Sequence, residues 1–153
     1  MPITIEHVRD SILSLGKCLD EAEGIGIFGS LARGDFSERS DIDIFVVIKD
    51  RKANEDSIWA RRIKRVLRRH GRDVTVLVYT IKALKEICDW YVLRLASDAI
   101  LLYDKAQKVE ALFKEILKAA KRAGLVQRRV GDSLVWVKKN IKVGEIFKVE
   151  VNQ

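Results

Sequence analysis

Between residues 25 and 48 the chain reads IGIFGSLARGDFSERSDIDIFVVI, two short apolar runs separated by a stretch that can continue neither of them. The first run, Ile25 to Phe28, contains β-branched residues and is too short for a helix, which predicts a buried strand. Gly29, Gly34, Ser37 and Ser40 punctuate the separating stretch, and Asp41 to Ile48 predicts a second strand. Strands this apolar need cover on their faces, and the sequence on either side has the helical period to supply it.

Ile5, Val8, Ile12, Leu15 and Leu19 recur every three or four residues, predicting an amphipathic helix over 5–22 that ends near Gly24. A second helix is predicted over 56–69, with Ile58, Trp59, Ile63, Val66 and Leu67 inward, arginines outward and Gly71 as its stop. Val74 to Tyr79 predicts a third strand, and Thr80 is placed to cap a helix over 81–97. Ile100 to Tyr103 reads as a short strand or a helix tail, and 106–123 as a helix ended by Gly124. Beyond it, Gly131-Asp132 between two β-rich runs predicts a hairpin, and Glu145 to Val151 is a further β-rich run. This order predicts an α/β (α+β) fold: a small mixed β-sheet flanked by helices, with a C-terminal helix and β-hairpin appendage. The expected division is a core over 1–104 and a basic appendage over 105–153.

With 153 residues, 48% of them hydrophobic and 33% charged, the chain has the composition of one soluble globular domain. Cys18 and Cys88 are its only cysteines, each in an amphipathic stretch, which predicts reduced, buried thiols rather than a disulfide framework. The N-terminus lacks the basic-then-apolar layout of a signal peptide, and no apolar run approaches the roughly 18 residues that span a bilayer. A cytoplasmic location and no membrane partner are therefore expected. The net charge is +7, unevenly spread: residues 57–72 carry seven cations and no acid. Arg61, Arg62, Arg65, Arg68 and Arg69 on that helix form either a solvated face or a surface for nucleic acid or an acidic partner. With only Trp59 nearby, and that inward, a base-stacking platform is poorly supported.

The chemistry concentrates at the start of the second strand. Asp41 and Asp43 lie two apart, so strand alternation puts both carboxylates on one face. Such an oxygen-rich pair calls for a positive charge and suits Mg²⁺ or Mn²⁺ better than zinc. His7 and His70 are isolated and read as surface or helix-end residues. Gly29 and Ser30 follow the first strand in a turn whose backbone can approach a phosphate, and Arg33 adds a fork for phosphate oxygens. Asp73 opens the third strand; if that strand lies beside the second, three carboxylates meet at one sheet edge, able to hold metal and to deprotonate an attacking hydroxyl.

Gly29-Ser30, ten intervening residues, then Asp41-Ile42-Asp43 resembles the signature of the polymerase beta nucleotidyltransferase superfamily, in particular its minimal nucleotidyltransferase branch. The resemblance spans about residues 22 to 104. It implies that Gly29 and Ser30 hold the triphosphate of ATP or another NTP, with Arg33 and Ser40 assisting. It further implies that Asp41, Asp43 and Asp73 ligate Mg²⁺ or Mn²⁺, Asp73 also activating the acceptor. The implied reaction moves a nucleoside monophosphate, AMP from ATP, to a hydroxyl and releases pyrophosphate. Proteins of this branch often serve as antitoxin to a helical HEPN partner. The alternative is a catalytically silent binding module working through the basic surface.

Overall fold

The protein is described as a computed structural model covering residues 2–131, 133–138 and 151. A four-stranded mixed sheet forms its centre, in the order β3-β2-β1-β4. Strand β1 (Gly24–Phe28) pairs antiparallel with β2 (Ile42–Ile48) and with β4 (Ile100–Asp104), while β2 runs parallel to β3 (Val74–Thr80). The helices are α1 (Ile5–Leu13), α2 (Gly29–Arg33), α3 (Glu55–Leu67), α4 (Ile81–Lys85), α5 (Trp90–Asp98) and α6 (Lys108–Arg122). A separate hairpin, β5 (Leu125–Val130) and β6 (Ser133–Lys138), comes after them. The α/β (α+β) class with a small mixed sheet flanked by helices is thus observed, and Ile100 begins a strand rather than a helix tail.

Strand alternation sorts β2 into two faces. Ile42, Ile44, Val46 and Ile48 pack with Val8 and Ile12 of α1 and Trp59, Ile63 and Leu67 of α3. Phe45 and Val47 look the other way, into a cluster with Val92, Leu93 and Leu95 of α5 and Val109, Leu112, Phe113 and Ile116 of α6. Each of these apolar side chains contributes on the order of 1.5–3 kcal/mol by leaving water. Helix α6, which the sequence places after residue 104, shares its core with Phe28 and Phe45 of the sheet. On β1 the α5/α6 face is nearly bare: a Cβ on Gly26 would lie 2.4 Å from Phe45 Cζ. The bareness of β1 there is what lets the Phe45 ring lie across it.

Two expected helices are broken. The helix predicted over 5–22 stops at Leu13, and a 3₁₀ segment, Gly16–Glu21, continues it after the chain turns at Gly16 with φ 59°. The helix predicted over 81–97 splits into α4 and α5. Ile87 takes φ 47°, and the Asp89 side chain caps α5 by accepting from the Val92 amide at 3.1 Å. That cap satisfies an amide which a continuous helix would bond to its own backbone, so the restart is locally encoded. Cys88 lies exposed at this junction, contrary to the expectation of a buried thiol, while Cys18 is half-buried; both are free. Of the C-terminal β-rich stretches, Asp132 and 145–150 lie outside the described residues. Among the described residues no helix is long and apolar enough to cross a membrane.

Candidate active site

The site lies at one end of the sheet, on the face that α5 and α6 cover. Asp43 sits in β2 between Phe28 of β1 and Thr75 of β3. Asp41 immediately precedes the strand, one residue later in onset than predicted, and is exposed. Because β1 ends at Phe28, beside Asp43, the turn that begins at Gly29 is delivered directly onto the acid.

The contact is close. Gly29 has φ 71°, and a Cβ there would lie 2.1 Å from Asp43 Oδ2, inside any permitted separation. Only glycine serves here, for conformation and for space. Helix α2 follows with no side chain capping its first turn. Ser30 sits in that turn, its carbonyl accepting from the Gly34 and Asp35 amides. Arg33 Nε lies 3.6 Å from Asp35, a loose surface pair.

Burial pushes the Asp43 carboxyl above its ordinary range. A hydrogen bond from Thr75 opposes this, the charge of Asp41 adds to it, and that of Arg33 lowers it again. Gly29, Asp41, Asp43 and Arg33 are therefore brought together, with Thr75 as a member that no sequence spacing marked.

Asp73 and Ser40 are placed differently. The Asp73 carbonyl accepts from the Ile42 amide at 2.8 Å, so its backbone is tied to the start of β2, but its side chain is exposed. Among the described residues no group of three or more His, Cys, Asp or Glu side chains stands close enough to hold one metal ion. The residue level with Asp43 on β3 is Thr75, and Asp73 stands one step beyond the strand. The Ser40 hydroxyl accepts from the Ser37 amide at 2.9 Å and lies 3.1 Å from the Ser37 hydroxyl, shaping the loop.

That loop has a clamp the sequence did not advertise. Arg72 donates to the Ser37 carbonyl through Nη1 and Nη2, both at 2.9 Å, and to the Ser40 carbonyl at 2.7 Å. Its guanidinium also lies over the Phe36 ring, 4.6 Å from the centroid. The five donors of arginine in a rigid fork suit this task, and they fix the chain just before Asp41. Nothing in a lone arginine next to Asp73 distinguishes it from the surface arginines upstream.

Of those upstream arginines, Arg62 pairs with Glu21 at 3.0 Å and lies over Trp59, and Arg69 donates to the Ser11 hydroxyl at 2.8 Å. Arg61, Lys64, Arg65 and Arg68 are exposed and have no carboxylate partner among the described residues.

The donor set suits a hard divalent cation. Two carboxylates two residues apart, Asp43 in β2 and Asp41 just before it, match the habit of Mg²⁺, which binds through one or two carboxylates and completes its shell with water and substrate phosphates. The family model for the nucleotidyltransferase domain matches residues 5–123, the whole sheet with its helices and both motifs.

The chain belongs to the nucleotidyltransferase domain family. Among curated protein sequences none matches it. Solved structures show the fold. A chain from a toxin–antitoxin structure with AMP-PNP superposes with a TM-score of 0.53 at 18% identity, covering 74% of this chain and 87% of that one. One from the Shewanella oneidensis complex of a tri-AMPylated HEPN toxin with its MNT antitoxin gives 0.50 at 15%, covering 78% and 88%. One from a MntA–HepT toxin–antitoxin structure gives 0.50 at 15%, covering 76% and 87%. The nucleotidyltransferase fold is thus the one expected from the Gly29-Ser30 and Asp41-x-Asp43 motifs, and the protein is a nucleotidyltransferase enzyme.

Proposed function

We propose that this nucleotidyltransferase moves AMP from ATP onto a hydroxyl of a helical HEPN-type protein, releasing pyrophosphate, and that it serves that partner as antitoxin. The observation carrying this reading is the Gly29 backbone seated against Asp43, with Asp41 two residues away: a turn that admits phosphate touches a pair of carboxylates that attracts a cation. The AMPylated HEPN toxin bound to an MNT antitoxin in the Shewanella complex supports the choice of partner and transferred group.

Asp41 and Asp43 are the residues that would hold Mg²⁺, or Mn²⁺, which when bound neutralises phosphate charge and aligns the reacting groups. Gly29 and Ser30 receive the triphosphate, and Arg33 lends it a guanidinium. Asp73, exposed at the same end of the sheet, accepts the proton of the incoming hydroxyl. Ser40, through its turn with Ser37, keeps Asp41 in position. Nucleotidyl transfer asks the protein for little beyond this alignment and charge neutralisation.

The unpaired cations Arg61, Lys64 and Arg65 of α3, with Arg68 just past its end, favour a secondary reading in which that face attracts a polyanion such as nucleic acid in a salt-sensitive manner.

The test is transfer of label from α-³²P-ATP with Mg²⁺ to the protein that co-purifies with this chain. Label on a hydroxyl side chain of that protein, lost in Asp41→Asn/Asp43→Asn while the complex still forms, is the expected result. Equal labelling by the double variant, or no labelling of the co-purifying protein, overturns the reading.

A further inference from the structure

We propose that Arg94, on α5, is a second guanidinium for the polyphosphate tail of the nucleotide, standing across the Gly29 turn from Arg33; this deepens the nucleotidyltransferase reading and rests on it. Tyr91, Arg94, Leu95 and Asp98 recur at helical spacing, and together they form one wall of a shallow, open cleft. The other wall is Phe28, Gly29 and Arg33. Helix α5 covers the sheet face from which Asp43 projects, so this wall stands over the reacting end of the site.

The guanidinium is held but not spent. It lies over the Tyr91 ring, 5.9 Å from the centroid, and Tyr91 meets Phe28 edge-on at 5.7 Å. Phe28 is the strand neighbour of Asp43 and the residue before Gly29, so aromatic packing connects Arg94 to the turn and the acid. Asp98 lies one helical turn on, yet Arg94 forms no ion pair with it or with any described carboxylate. An arginine packed on an aromatic face keeps its N–H fork available, in the geometry that phosphate oxygens accept in pairs.

Charge makes the same demand. Asp41, Asp43 and a divalent cation largely cancel, so the remaining charge of a triphosphate, together with that of Asp98 in the cleft wall, falls to side-chain cations. The cleft has two, Arg33 and Arg94, and Arg33 already leans toward Asp35. Arg94 was not marked by any sequence motif, because its place depends on how α5 restarts at Asp89.

The experiment compares binding of AMP-PNP and of AMP, each with Mg²⁺, to the wild-type protein, Arg94→Gln and Arg94→Lys, with thermal melts confirming that both variants are folded. Loss of charged hydrogen bonds to the tail predicts that Arg94→Gln weakens AMP-PNP about tenfold or more. AMP affinity stays unchanged, and Arg94→Lys recovers part of the loss. Unchanged AMP-PNP affinity in Arg94→Gln, or an equal fall for AMP and AMP-PNP, overturns the assignment alone. A wild-type protein that binds no AMP-PNP overturns the function reading and this inference with it.

Discussion

The backbone of Gly29 and the carboxylate of Asp43 occupy adjoining space, so that a methyl group on Gly29 would press on Oδ2 at 2.1 Å and on the carboxyl carbon at 3.0 Å. Gly29→Ala must therefore displace Asp43 and also place alanine at φ 71°, a conformation costing about 1–2 kcal/mol. Nucleotidyl transfer by Gly29→Ala is expected to fall by roughly 100-fold, the penalty for reacting groups moved by about an ångström. Steady-state transfer assays beside a thermal melt check this; transfer at the wild-type rate would show that the contact has no part in the reaction.

Asp43 itself opposes stability in the metal-free protein. Its carboxyl holds a proton more tightly in the fold than in the unfolded chain, because burial raises it above the ordinary value of 3.8. The unfolded state therefore binds fewer protons in the window just above that value, and stability falls as pH rises through it. Asp43→Asn removes this penalty. The variant is expected to melt no lower than wild type at pH 7 without Mg²⁺, with any advantage shrinking as both are compared near pH 4. Transfer is lost, and so is stabilisation by added Mg²⁺, measured as the shift in Tm. A variant markedly less stable than wild type at pH 7 would contradict the sign.

Arg72→Ala removes three donated hydrogen bonds and the stacking on Phe36 from the loop that precedes Asp41. Much of this is solvent-exposed, so the expected loss of stability is about 1–2 kcal/mol. The more telling change is local: proteolysis within residues 34–40 should accelerate, and transfer should fall, since Asp41 loses its anchor. Limited digestion followed by mass spectrometry reports the cut site. Cleavage no faster than in wild type would mean that Ser37 and Ser40 hold the loop unaided.

On α3 the exposed cations oppose one another, with Arg61 and Arg65 four residues apart and Arg61 and Lys64 three apart. Arg61→Glu turns both into attractive pairs and should stabilise the protein by about 0.5 kcal/mol at low salt, an advantage that fades as salt screens it. The same change should weaken retention on heparin. A Tm lowered at low salt would show that Arg61 has a packing role instead.

The periodicities of the chain were enough to name the first three strands and the small mixed sheet, because apolar alternation and glycine punctuation act over a few neighbouring residues. The same local signals missed the breaks at Gly16 and Ile87, where φ becomes positive and a serviceable helical pattern is interrupted. Gly29, Asp41 and Asp43 were readable as a set because they lie within fifteen residues and bear distinctive chemistry. Thr75, Arg72 and Arg94 were not, since each is an ordinary residue type on another element.

What the amino-acid order determined alone is therefore the inventory: two carboxylates at strand spacing, a Gly-Ser turn before them, and amphipathic helices to bury the sheet. What folding decided is adjacency. The parallel register of β2 and β3 sets Thr75, not Asp73, level with Asp43, and the restart of α5 at Asp89 carries Arg94 over the cleft. Register and helix placement are chosen by the packing of whole faces, Phe45 against Gly26 and α5 against α6, and such a choice is a property of many residues at once rather than of any window along the chain.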